Sequence, residues 1–155
     1  MSTATTTDRE LAITRVFDAP REMVFDAWTD KEHIDKWWGP KGFTNTTHSM
    51  DVRPGGTWRF TMHGPDGTEY GNRITYVEVV RPEKLVYLHG EDTDDGANHF
   101  QGSTTFRDLN GKTELTMKLL FDTVEQLKEA VEKIGAIEGG NQTLDRLGEY
   151  LQERG

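Results

Sequence analysis

The stretch DTVEQLKEAVEKIGAIEGGNQTLDRLGEYLQ, residues 122–152, decides the fold. It is the one long run with helical hydrophobic periodicity. Ala136, Gly140, Leu144, Leu147 and Leu151 follow at steps of four, four, three and four, so they share a helix face. Asp145, Arg146, Glu149, Gln152 and Glu153 fall on the other sides. Ahead of them, Val124, Leu127, Val131 and Ile134 form a first stripe, and Asp122 with Glu125 has capping-box spacing. Gly135 and the Gly139-Gly140 pair interrupt it. Each glycine costs up to about 1 kcal/mol against Ala in a helix interior. The reading is a short helix, a break near 135–139, and a main helix to about Gln152.

Between Phe43 and Phe121 the period changes to two. Phe43 to Val52 reads as a strand ended by Pro54-Gly55-Gly56. Thr57 to His63 places Trp58, Phe60 and Met62 on one face. Asp66-Gly67 signals a hairpin into a long strand from Thr68 to Val80, where Gly71 suggests a bulge or bend. Arg81-Pro82-Glu83 turns into Lys84 to Gly90. An acidic loop, Glu91 to Gly96, leads to a strand from His99 to Asp108. Asn110-Gly111 fits a type I′ turn. Thr113 to Phe121 then alternates, with Leu115, Met117, Leu119 and Phe121 inward. Consecutive hairpins make this an antiparallel sheet, and a curved sheet facing one amphipathic helix leaves a cavity between them.

The N-terminal part completes the order. Met1 to Glu10 is Ser/Thr-rich without an apolar core, so residues 1–9 read as a frayed tail rather than a signal peptide, and 10–155 as a single domain. Leu11 to Phe17 is a strand with Leu11, Ile13 and Phe17 on one side. Asp18-Ala19-Pro20 opens a helix, Asp18 or Ala19 being the cap, with Val24, Ala27 and Trp28 on one face. Thr29 and Glu32 are spaced as a capping box for a second short helix closed by Ile34, Trp37 and Trp38, and Gly39-Pro40 stops it.

Composition bounds the function. The 155 residues carry 34% hydrophobic side chains, a formal net charge of −9 and no cysteine. The mean hydropathy is −0.74. Disulfides, thiolate metal sites and cysteine nucleophiles are excluded, and a cytoplasmic address is the default expectation. The negative charge speaks against nucleic acid and anionic membranes as partners. No apolar run approaches the roughly 18 residues that span a bilayer. His33, His48, His63, His89 and His99 show no paired metal-ligand spacing, so no metal and no cofactor are expected. Glu91-Asp92-Thr93-Asp94-Asp95-Gly96 fails as a calcium loop, because positions three and twelve fall on Thr93 and Gly102. There is no nucleophile elbow and no phosphate-binding glycine loop.

Four motifs carry a resemblance. They are Phe17-Asp18-Ala19-Pro20-Arg21-Glu22-x-Val24-Phe25-x-Ala27-Trp28-Thr29, Trp37-Trp38-Gly39-Pro40-x-Gly42-Phe43, Arg53-Pro54-Gly55-Gly56-x-Trp58-Arg59-Phe60, and Glu138-Gly139-Gly140-Asn141-Gln142-Thr143-Leu144-Asp145-Arg146-Leu147. Together they resemble the START/Bet v 1-like (SRPBCC) superfamily, in the branch named for the C-terminal domain of the heat-shock-protein-90 ATPase activator. The resemblance implies an α+β helix-grip fold. About seven antiparallel strands curve around the long C-terminal helix, with two short helices after the first strand and a central hydrophobic cavity. Members of the branch usually carry Trp where Gly140 stands, so this chain places a smaller side chain on the helix face towards the sheet.

The candidate cavity lining is Trp28, Trp37, Trp38, Phe43, Trp58, Phe60, Met62, Tyr87, His89, Met117, Gly140, Leu144 and Leu147. Trp37-Trp38 reads either as a rim that meets ligand or as a plug tying the short helices to the sheet. Trp58, Phe60 and Met62 read either as pocket wall or as solid core. Tyr87, His89 and His48 are the polar groups that would select among ligands. His99 and Gln101 share a face in the same way. The expected function is binding of an apolar small molecule of lipid, polyketide or aromatic type, with no catalytic residue assigned. The alternatives are a chaperone-ATPase interaction module, with a role in stress response, and a cyclase-like enzyme using His89 as base. The expected assembly is a monomer or weak dimer.

Overall fold

The computed structural model describes residues 2–92 and 98–154. Eight strands form one antiparallel sheet: β1 (Ser2–Thr6), β2 (Glu10–Phe17), β3 (Thr44–Met50), β4 (Thr57–His63), β5 (Glu69–Val80), β6 (Lys84–Glu91), β7 (Asn98–Leu109) and β8 (Lys112–Leu120). Their spatial order is β1-β2-β8-β7-β6-β5-β4-β3. Every connection from β3 to β8 is a hairpin between neighbours. The chain leaves β2 through two short helices, α1 (Arg21–Thr29) and α2 (Lys31–Ile34), and re-enters the sheet at the far edge as β3. This crossover lets β8 return beside β2 and close the curved sheet around the last helix, as the helix-grip architecture requires.

The eighth strand is the segment read above as a frayed tail. Ser2–Thr6 pairs with β2, Thr3 opposite Thr14 and Thr5 opposite Ala12. Threonine is β-branched and suits an edge strand whatever its polarity. Two other local readings change. The irregularity in β5 lies between Tyr76 and Glu78, opposite β6, whereas Gly71 pairs in register with Thr61. Asp30 caps α2 by accepting from the Glu32 amide, in place of the Thr29 box, and Pro20 holds the cap position of α1 without a side-chain bond. Asn110 (φ 54°) and Gly111 (φ 90°) both adopt the positive φ that a type I′ turn needs.

The C-terminal segment is three pieces. α3 (Val124–Glu129) starts on a capping box made by Thr123 and Gln126, one residue beyond the Asp122–Glu125 pair expected. A π-helical turn (Ala130–Ile134) follows and ends on left-handed Gly135, φ 74°. α4 (Ala136–Arg154) then lies across the concave face of the sheet. Leu144, Leu147 and Leu151 are buried there against Leu11, Ile13, Leu115 and the aromatic side chains of α1 and β7. At about 25 cal/mol per Å² of apolar area, this packing is the main force holding helix to sheet. Arg15, inward-facing on β2, adds bonds to Asp145 (2.6 Å) and Asn141 (3.0 Å) of α4.

Candidate ligand cavity beneath the C-terminal helix

A cavity of about 300 Å³ lies between the N-terminal half of α4 and the sheet. Its floor comes from alternate residues of four strands: Met62 of β4, Tyr87 and His89 of β6, Phe100 of β7, and Met117 and Leu119 of β8. The period of two turns each of these towards the concave face. The helix side is Gly135, Gly139, Gly140 and Thr143, and Trp38, Gly39 and Pro40 form a lip. Almost all of this wall is carbon.

The glycines decide where space remains. A Cβ at Gly140 would stand 2.6 Å from Ile13 Cδ1 and 3.4 Å from Met117 Cε, so Gly140 is what lets α4 approach β2 and β8. A Cβ at Gly139 would meet only Pro40 Cγ, at 3.7 Å, which is ordinary contact. Gly139 therefore borders open space, and Gly140 borders packed side chains. On the floor, a Cβ at Gly102 would fall 2.1 Å from Tyr87 Cε2, so the Tyr87 ring occupies the room its cross-strand partner leaves.

The lip is held from the helix. Arg146 Nη1 donates to the carbonyls of Trp38 (3.1 Å), Gly39 (3.0 Å) and Pro40 (3.0 Å), and Nη2 to that of Lys36 (3.3 Å). Burial pulls the Arg146 guanidinium below its usual range, while Glu149 acts the other way. One turn earlier, Gln142 Oε1 accepts from the Lys41 amide at 3.2 Å. Asn45 Nδ2 adds a second donor to the Trp38 carbonyl at 2.8 Å. Gly39 has φ 94°, and Met62 Cε would lie 2.7 Å from a Cβ there, so backbone conformation and space both demand glycine.

Two polar rings stand in the wall. Asn72 Nδ2 donates to the Tyr70 carbonyl at 3.0 Å, which turns its Oδ1 towards His89 Nε2, also at 3.0 Å. With Asn72 Oδ1 as the acceptor, His89 donates from Nε2. The Tyr87 hydroxyl is pushed up to about 12 by burial, with the Thr104 hydroxyl partly offsetting it. Tyr87 is therefore a neutral donor throughout the physiological range. Among the described residues, no group of His, Cys, Asp or Glu is placed to hold a metal ion.

The structure brings Trp38, Met62, Tyr87, His89, Met117 and Gly140 to the cavity. The other candidates lie elsewhere. Trp37 is fully buried and donates from Nε1 to the Ala27 carbonyl at 3.0 Å, so it is the plug, whereas Trp38 is the wall. Trp28 sits edge-on to Trp37, Trp38 and Phe106 in the core. Trp58 and Phe60 stack at 3.7 Å behind Trp38. Leu144 and Leu147 are buried further along α4, where helix and sheet are in contact. Phe43 packs against Tyr70 outside the lip, 6.1 Å between centroids. His48 is exposed and bonds Thr61 at 2.8 Å across the sheet edge. Gln101 is exposed, and the side chain of His99 lies outside the described residues, as does most of the acidic loop. The sequence reading missed Phe100 and Leu119, whose inward parity with Met117 and Tyr87 was a usable signal. It also missed Gly39, Pro40, Gly135, Gly139 and Thr143, which only tertiary approach brings to the wall.

Residues 18–152 match the family described as "Activator of Hsp90 ATPase homolog 1-like protein". A search of curated proteins finds no match. Among solved structures, protein Ms6760 from Mycobacterium smegmatis is 26% identical, with TM-score 0.89 over 99% of this chain and 98% of that one. A protein from Arthrobacter aurescens is 23% identical with TM-score 0.89, covering 97% and 91%. Protein NE0264 from Nitrosomonas europaea is 23% identical with TM-score 0.85, covering 97% and 98%. The latter two show the shared fold. No helix among the described residues is long and apolar enough to cross a membrane.

Proposed function

Because this chain belongs to the activator of Hsp90 ATPase homolog 1-like family, within the SRPBCC superfamily, we propose that it binds an apolar small molecule beneath the N-terminal half of α4. The observation that carries this reading is the carbon-walled cavity of about 300 Å³, with Tyr87 and His89 as its polar points. Affinity comes from burial: each 100 Å² of apolar ligand surface removed from water is worth about 2.5 kcal/mol, less the cost of immobilising the ligand. A few fixed polar groups in such a wall orient the ligand rather than hold it. The test is chemical-shift mapping against a panel of lipids, polyketides and aromatics. Binding shifts Met62, Tyr87, Met117 and Gly139. A panel that perturbs none of them removes the reading.

The family description itself supports a second reading, an interaction module that stimulates a chaperone ATPase. The net charge of −9 would recruit a basic face on such a partner. The purified chaperone's ATPase rate with and without this protein decides it, and an unchanged rate rejects it.

A further inference from the structure

Resting on the cavity reading above, we infer that the occupant is a two-ring aromatic molecule rather than an acyl chain. The first observation is size. An apolar cavity of about 150 Å³ accepts benzene. The cavity here is about 300 Å³, roughly double that and at the lower end of ligand pockets. One ring leaves it about half empty.

The second observation is that the ring-bearing wall cannot retreat. Trp38 is wedged edge-on between Trp28 (5.6 Å) and Trp58 (5.4 Å), and its carbonyl is clamped by Arg146. Phe100 is backed by Phe121 at 5.5 Å and by His89 at 5.0 Å. Tyr87 fills the space above Gly102. Only Met62 and Met117 are soft enough to adjust. A fixed wall that presents Trp38, Tyr87, His89 and Phe100 offers ring edges and faces to another ring system. A rigid bicycle enters without freezing internal rotors, whereas an acyl chain of comparable volume must freeze many.

The test uses the full chain and isothermal titration with phenol, 2-naphthol, 1-hydroxypyrene and dodecanoate. Binding of 2-naphthol at least about tenfold tighter than each of the others supports the inference. Gly139→Leu, whose side chain would start in the open space beside Pro40, abolishes that binding without lowering the thermal midpoint. Methyl shifts of Met62 and Met117 in the unaltered protein place the ligand independently of how the variant folds. If dodecanoate, phenol or 1-hydroxypyrene binds tightest and moves the same methyls, the two-ring class is overturned and the cavity reading stands. If no probe moves them, both fall.

Discussion

Arg146 Nη1 donates to the Trp38 carbonyl at 3.1 Å across 108 positions of sequence. The bond joins two of the motifs that carry the family resemblance, Trp37-Trp38-Gly39-Pro40 and the glycine-rich start of α4. The guanidinium is matched to the outward-pointing carbonyls that follow α2, where helix ends leave acceptors unsatisfied.

Arg146→Ala removes this donor from all four carbonyls, and Asn45 still serves that of Trp38 while the Phe43 amide still serves that of Pro40. The expected loss is about 1.5–3 kcal/mol, the range for a hydrogen bond to a charged group, measured by denaturant unfolding. Amide exchange of residues 37–41 accelerates more than that of β6. Arg146→Lys recovers only part of the loss, because one ammonium cannot reproduce the planar fork. Equal exchange rates in the variant and the parent protein would remove the clamp.

The adjacent glycines respond in opposite senses. Gly139→Ala gains helix propensity, up to about 1 kcal/mol, in a site where its methyl meets only Pro40. Gly140→Trp must displace the buried Ile13 and costs about 1–3 kcal/mol, the range for overpacking. Thermal midpoints of the two variants check the ordering. A stabilised Gly140→Trp protein would mean that α4 can lift from β2 at little cost.

The two adjacent tryptophans separate by readout. Trp37→Phe removes the donor to the Ala27 carbonyl and costs about 1–3 kcal/mol of stability, with ligand affinity nearly unchanged. Trp38→Phe alters the cavity wall, so it changes affinity. Titrating both variants with the tightest ligand of the parent protein distinguishes plug from wall. Equal affinity losses would contradict the assignment.

Alkaline stability reports on Tyr87. Its folded-state pKa is about 12, above the ordinary value of 10.0, because burial disfavours the phenolate. Burial pushes Tyr76 up in the same direction. Between pH 10 and 12 the unfolded chain has released a proton that the native one retains, so stability falls as pH rises through this window and is unaffected below it. Tyr87→Phe makes the fall shallower. Urea midpoints at pH 9, 10 and 11 test this; an identical slope in the variant would place the alkaline sensitivity elsewhere.

Much of the fold was legible because it follows from local periodicity. Alternation in Thr57–His63 and Thr113–Phe121 and the four-four-three-four spacing on α4 identify faces, and a face is a property of a dozen neighbouring residues. Local spacing has a limited resolution. The stretch 122–126 holds two pairs three apart, Asp122–Glu125 and Thr123–Gln126, and only the folded chain shows that the second closes the capping box. The Ser2–Thr6 strand carries no hydrophobic signal because an edge strand needs a partner more than a core.

What the sequence determined by itself was which side of each element is apolar and in what order the elements come. Depth along those faces was decided by tertiary structure. Leu144, Leu147, Met117 and Tyr87 all point inward, yet Met117 and Tyr87 reach the cavity while Leu144 and Leu147 do not. The difference is how closely α4 approaches the sheet at each turn. That approach is set by Gly140 against Ile13, by Arg15 against Asp145, and by Arg146 against the carbonyls of 36 and 38–40. Each pairs residues about a hundred or more positions apart, beyond the reach of any local pattern.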